Sequence, residues 1–424
     1  MTPTSKTLSP GFDPSRRFLL TAAAALPVIA AVEPAVAAPA SAAVPAATEA
    51  ITPFKVKIPA AAISDLRTRL KLARLPEKET VDDWSQGAPL HSVELLLTYW
   101  RDKYDMGRVE KRLNVYPQFR TEIDGLGIHF IHVKSKHDGA RPLILTHGWP
   151  GSVIEFLNVI DPLTNPTAHG GKAEDAFHVV IPSLPGFGFS DKPTKAGWGL
   201  PRIAKAWAVL MQRLGYTEYY AQGGDYGAGV TTWMAKQHVP GLKGIHLNLP
   251  ILFPPPIEGT PTAEEQASIA QLVAYGTHEA GYAKLQTTRP QTIGYALTDS
   301  PIGEASWIYE KFGNWTDSDH HPEKVLGYDQ MLDDITLYWL TETAASSARL
   351  YWESFETTFT PQKLDIPVGV SVFPGELFRP LKIWGDRMYS KLTYWGEATH
   401  GGHFAAFEQP QIFTEELRKA FATM

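Results

Sequence analysis

The sequence contains no cysteine. Disulfides, cysteine-bound metals and thiol nucleophiles are therefore all excluded. No long run of lysine and arginine occurs, and the formal net charge is -6, which argues against a surface built for nucleic acid. A repeat period is also missing, which argues against solenoids and propellers. The apolar run Phe18–Val32 falls short of the roughly 20 residues that span a bilayer. What remains is ordinary globular composition: 424 residues, 44% hydrophobic and 20% charged. Twelve Trp, 16 Tyr and 19 Phe supply a large core and an apolar pocket.

The first fifty positions are a different material. Ser15-Arg16-Arg17-Phe18-Leu19-Leu20 sets two arginines before the apolar run. Ala35-Val36-Ala37 and Ala40-Ser41-Ala42 then offer cleavage sites. The pair resembles a twin-arginine export signal, one residue short of the usual spacing to Phe-Leu. The expectation is an exported protein, periplasmic or secreted, with no stable membrane anchor after signal removal. An ordinary secretory signal or an Ala/Pro-rich tail is the plainer alternative.

Beyond this leader (1–50), residues 51–125 read as an N-terminal extension. A strand near Phe54 precedes a helix with Ile63, Leu66, Leu70 and Leu72 on one face, and Tyr99, Trp100 and Tyr104 serve as aromatic anchors. The stretch from Trp84 to Asn114 lacks a strand set of its own, so the block is expected to pack on the next domain. Residues 126–250 alternate short apolar runs with helical patterns: Gly127–Val133, Pro142–Thr146, Phe177–Ile181, Tyr219–Gly223 and Gly244–Leu249 are strand candidates. This rhythm implies a parallel sheet covered by helices, an α/β fold. It breaks at Pro250, and residues 251–360 are mostly helical by pattern, as a cap over the C-terminal strand ends. In residues 361–424 the strand pattern returns at Val368–Phe373, more weakly at Tyr389–Trp395, and a helix Pro410–Ala422 closes the domain.

Gly223-Gly224-Asp225-Tyr226-Gly227 has the form Gly-x-nucleophile-x-Gly between a strand and a helix, the nucleophile elbow of the α/β-hydrolases. Aspartate stands where serine is usual, and that decides the reaction class. A carboxylate attacking an ester would give an anhydride. Attack on an activated sp³ carbon gives an ordinary ester that water can cleave. His147-Gly148-Trp149-Pro150-Gly151-Ser152 follows the Pro142–Thr146 strand. Its Trp149 N–H, with that of Tyr226, is the expected oxyanion hole. His403, after the last strand, is the candidate base, and Glu376, after Val368–Phe373, the carboxylate that orients it. The order Asp225, Glu376, His403 is that of the fold. His400 and His403 lack an acidic or third partner in sequence, so no metal is expected.

Together the motifs carry a resemblance. Tyr99-Trp100-Arg101-Asp102, Pro117-Gln118-Phe119, Ile128-His129-Phe130-Ile131-His132, His147–Ser152, Gly223-Gly224-Asp225, Ala296-Leu297-Thr298-Asp299-Ser300-Pro301 and Gly401–Glu408 resemble the microsomal-type epoxide hydrolases from about Phe54 onward. The resemblance implies an α/β-hydrolase fold with a mostly helical cap and the epoxide hydrolase N-terminal extension packed on its core. It implies hydrolysis of a small apolar epoxide by water, without cofactor. It also implies two cap tyrosines on the epoxide oxygen, matching Tyr282 and Tyr351. Such phenols can hydrogen-bond and protonate a developing alkoxide. Two departures stand out: Tyr226 where relatives often carry tryptophan, and Arg289 where lysine is common. Two alternatives differ in class. A haloalkane dehalogenase uses the same aspartate but needs an indole beside it, where Tyr226 stands. A retired hydrolase acting as a ligand-binding protein predicts erosion of a triad that is complete here.

Overall fold

The computed structural model describes residues 49–252, 257, 259–358 and 363–424. The arginine pair of the leader and the Pro254–Pro256 run lie outside them. Among the described residues nine strands form one sheet: β1 (Thr52–Phe54), β2 (Gln118–Ile123), β3 (Leu126–Val133), β4 (Arg141–Thr146), β5 (Phe177–Pro182), β6 (Tyr219–Gly223), β7 (Leu242–Leu247), β8 (Val368–Val372) and β9 (Leu392–Glu397). Their order is β1-β2-β3-β5-β4-β6-β7-β8-β9. The neighbours from β5 through β9 are parallel. The expected parallel sheet is thus found there, whereas β1, β2, β3 and β5 pair antiparallel. In β8 all five residues are buried, and in β4 the last four are. Continuous burial of this kind marks strands covered on both faces. The helices Leu200–Arg213 and Asp225–Lys236 pack together, as do Ile160–Thr164 and Pro410–Phe421.

The N-terminal block differs from expectation in two details. Its end supplies β2, whose Gln-Phe-Arg-Thr-Glu-Ile pattern is polar at all but Phe119 and Ile123 and so carries no apolar-run signal. Leu72 is 73% exposed because the helix Ala60–Lys71 has already ended; Leu66 and Leu70 carry its buried face. The helices Leu90–Asp102 and Arg108–Leu113 follow, and they meet a helix that comes much later, Gly327–Thr341. Trp100 Nε1 donates to Thr336 Oγ1 at 3.0 Å and the Tyr104 hydroxyl to Asp333 at 2.8 Å. Arg108 and Arg112 also pair with Asp333, which is fully buried. The extension therefore fixes an element of the helical insertion as well as an edge of the sheet.

That insertion, between β7 and β8, comprises among the described residues Ala263–Ala274, Gly281–Thr288, Pro290–Asp299, Pro301–Trp315, the short Pro322–Val325, Gly327–Thr341 and Ala344–Thr358, with a single π-helical turn at Tyr275–Glu279. Its starts obey local rules. Thr262 and Glu265 form a capping box, and Ser300 caps Gly303 N–H ahead of Pro301.

Asp334, also on Gly327–Thr341, accepts from Ser152 Oγ at 2.5 Å. Burial raises its pKa to about 8, and its neighbours Glu155 and Glu304 are likewise held far above the carboxylate range by burial and by Asp334. A carboxyl raised in the fold favours folding fully below its unfolded value near 4 and loses that contribution as pH rises to about 8. Asp334→Asn keeps the acceptor for Ser152 and removes the proton. Thermal unfolding followed across pH 5–8 should show the variant gaining on the parent by roughly 1.4 kcal/mol per pH unit. Parallel curves would contradict the assignment.

Candidate active site

The elbow begins where β6 ends. Asp225 holds φ of 49°, a left-handed conformation that a non-glycine residue adopts only when its surroundings enforce it. They do so here: a Cβ on Gly227 would overlap the Thr146 carbonyl, and one on Gly148 the Asp225 carboxylate. The turn delivers Asp225 to the N-terminus of the helix Asp225–Lys236, where the helix dipole favours a negative charge.

Asp225 Oδ1 accepts the Trp149 N–H at 2.9 Å. The Tyr226 N–H acts on the same carboxylate. Burial pushes the Asp225 pKa up, while His403 and these two amides oppose the shift. The loop carrying Trp149 is itself pinned. Buried His147 is neutral, its pKa lowered to about 4 by burial; its Nδ1 bonds the Gly148 carbonyl, and its Nε2 accepts from Leu184 N–H. The Tyr338 hydroxyl donates to Gly151 O at 2.9 Å.

His403 Nε2 lies 3.6 Å from Asp225 Oδ2, and its Nδ1 lies 2.7 Å from Glu376 Oε1. Glu376 follows β8 and His403 follows β9, so adjacent parallel strands bring the pair together. Burial lowers the imidazole pKa, but the carboxylates of Glu376 and Asp225 outweigh it and the value rises to about 9. Glu408 secures the loop by accepting N–H groups of Asp317, Gly402 and Phe404. His400 is exposed and bonds Thr399. Among the described residues no group of three or more His, Cys, Asp or Glu could hold a metal ion.

Tyr282 and Tyr351 come from the helices Gly281–Thr288 and Ala344–Thr358 and meet over Asp225. Trp149 stacks on Tyr282 at 5.2 Å and meets Tyr351 edge-on at 5.6 Å. Tyr226 packs against Tyr351 at 4.6 Å. The Tyr351 hydroxyl is buried and close enough to act on Tyr282, yet has no hydrogen bond of standard geometry among the described residues. Beside the tyrosines opens a mainly apolar cavity of about 580 Å³, lined by Leu249, Ile251, Tyr275, Ala283 and Leu377 with Asp225 at its floor. A second, small cavity of about 20 Å³ borders Gly148, Glu155, Asp225, Asn248 and His403. That is room enough for a water.

All seven residues singled out from sequence thus converge, through side chains or, for Trp149 and Tyr226, through backbone amides. Glu155, Asn248 and Tyr275 were not anticipated. Glu155 follows the loop motif by three residues, and Tyr275 precedes Tyr282 by seven; neither has a motif of its own.

The sequence profile of the epoxide hydrolase N terminus matches residues 51–156, and that of the alpha/beta hydrolase fold matches 141–292. A provisionally named epoxide hydrolase of Stigmatella aurantiaca is 62% identical over 88% of this chain and 84% of its own. Epoxide hydrolase 1 of Sus scrofa is 35% identical over 88% of both chains. The crystal structure of juvenile hormone epoxide hydrolase from the silkworm Bombyx mori superposes with a TM-score of 0.81 at 32% identity, covering 89% of this chain and 95% of that one. The chain belongs to the microsomal-type epoxide hydrolases, α/β-hydrolases that carry the epoxide hydrolase N-terminal segment.

Proposed function

We propose that the chain converts a small apolar epoxide and water to a vicinal diol through a covalent ester on Asp225. One observation carries this reading: Asp225 presents Oδ2 toward His403 while Oδ1 is held by the Trp149 amide, beneath two tyrosines in an apolar cavity. Asp225 Oδ2 attacks the less hindered ring carbon. The carbon–oxygen bond breaks as Tyr282 and Tyr351 hydrogen-bond the departing oxygen, and a phenol proton passes to it. The phenol is recharged from solvent.

Esterification changes the base. In the free enzyme Asp225 and Glu376 both favour imidazolium. The ester is neutral, so one of those carboxylates is gone and His403 releases its proton more readily. Neutral His403, oriented by Glu376, then takes a proton from water in the small cavity. The resulting hydroxide adds to the ester carbonyl, and the Trp149 and Tyr226 amides hold the oxyanion. Collapse releases the diol and restores the Asp225 carboxylate and imidazolium. The Tyr226 side chain and the tyrosine pair favour an epoxide over a haloalkane. The arginine pair ahead of Phe18 supports export to the periplasm or beyond, where no membrane anchor is needed.

A single turnover of styrene oxide in ¹⁸O-water, with enzyme in excess, tests the ester directly. The diol should be unlabelled and the peptide containing Asp225 should gain the heavy oxygen. Label in the diol instead would mean that water attacks the epoxide itself.

A further inference from the structure

The cavity holds a third phenol. Tyr275 opens the π-helical turn Tyr275–Glu279, which joins Ala263–Ala274 to the helix carrying Tyr282. Single π-turns of this kind re-aim side chains and recur at functional sites. Here the turn brings the Tyr275 hydroxyl to 2.8 Å from that of Tyr282. The two differ in access to water: Tyr282 is 6% exposed, whereas Tyr275 is half-buried at the cavity. Tyr282 is otherwise immobilised, stacked on Trp149 and covered by the Lys311 ammonium 4.2 Å from its ring centroid. Its hydroxyl rotor is the degree of freedom that packing does not fix, because a phenol hydrogen swings about the C–O bond.

We propose that Tyr275 is a positioning residue for ring opening. When its hydroxyl donates to Tyr282, the Tyr282 proton must point elsewhere, toward the epoxide oxygen over Asp225. Donation also polarises Tyr282 in the direction that makes its own proton easier to give. As the ring opens, the Tyr282 O–H bond breaks, its proton joins the alkoxide, and the Tyr275 hydrogen bond stabilises the phenolate left behind. Tyr275 then passes its proton to Tyr282 and is reprotonated through cavity water, so the donor is reset without exposing Tyr282. The proton consumed is balanced by the one that imidazolium His403 releases to solvent once the ester has formed. The inference rests on the reading of Tyr282 as the proton donor.

Tyr275→Phe deletes one oxygen from a half-buried ring. The experiment uses the His403→Gln enzyme, in which ester formation from styrene oxide is followed by rapid quench and intact mass. Adding Tyr275→Phe should slow ester formation roughly tenfold, the scale of a hydrogen bond to a developing charge, with half-saturation within about twofold of the parent. In a Tyr282→Phe background the same change should have no further effect. A general loss of structure would move both backgrounds and the half-saturation alike. Equal slowing in both backgrounds, or a rate within twofold of the parent, would overturn the role of Tyr275 and leave the ester mechanism intact. Absence of any ester in the His403→Gln parent would instead remove the underlying reading.

Discussion

Asp225→Ala should lower turnover of styrene oxide by at least about 10⁴-fold, the scale seen when a nucleophile is deleted from a hydrolase. The loss belongs to chemistry and not to folding. Asp225 is a largely buried carboxylate in a strained backbone conformation, so its contribution to stability is small or negative. Circular dichroism and thermal unfolding of the variant should match the parent or exceed it. Asp225→Asn is the closer control. It keeps an oxygen for the Trp149 amide and the shape of the turn, yet its amide is a poor nucleophile. Both variants should be inactive. Activity within about tenfold of the parent in either one would show that water attacks the epoxide without covalent help.

His403→Gln should be almost as damaging to turnover, by about 10³-fold or more, but for a different reason. Only the second step loses its base. The glutamine can still hydrogen-bond Glu376, so the buried carboxylate keeps a partner, and Asp225 loses an imidazolium while keeping its two amides. Ester formation should therefore survive within about an order of magnitude and ester hydrolysis should stop. The pH dependence separates the steps further. In the parent, ester formation needs ionised Asp225, whose pKa burial raises above its ordinary value, so on acidification it falls off at higher pH than an exposed aspartate would allow. Ester hydrolysis needs neutral imidazole and weakens as pH drops through the His403 value in the ester. In His403→Gln that second limb should vanish. Rapid-quench measurement of both steps across pH checks this.

Much of the site was legible because its constraints are local. A glycine pattern about Asp225 follows from a turn with no room for Cβ atoms, and strand-then-loop order suffices to locate Trp149, Glu376 and His403. Tyr282 and Tyr351 were different: among 16 tyrosines only resemblance singled them out. Tyr275 was out of reach because its placement depends on one extra residue in a helical turn, which leaves no trace in hydrophobic period. Glu155 and Asp334 look like surface charges by type, and their burial is a property of how a distant helix crosses the His147–Ser152 loop. The sheet was legible at its buried centre, where strands are continuous apolar runs. Its antiparallel edge was not, since β2 is polar at all but Phe119 and Ile123 and β1 spans only three residues.

The most direct test is the intact mass of His403→Gln after incubation with a pool of epoxides and haloalkanes. A covalent aspartyl ester predicts a gain equal to one whole epoxide, located on the peptide containing Asp225 and absent from Asp225→Ala. A gain equal to a haloalkane less its hydrogen halide would assign the same carboxylate to dehalogenation. An unmodified His403→Gln protein, while the parent turns epoxide into diol, would contradict the covalent mechanism.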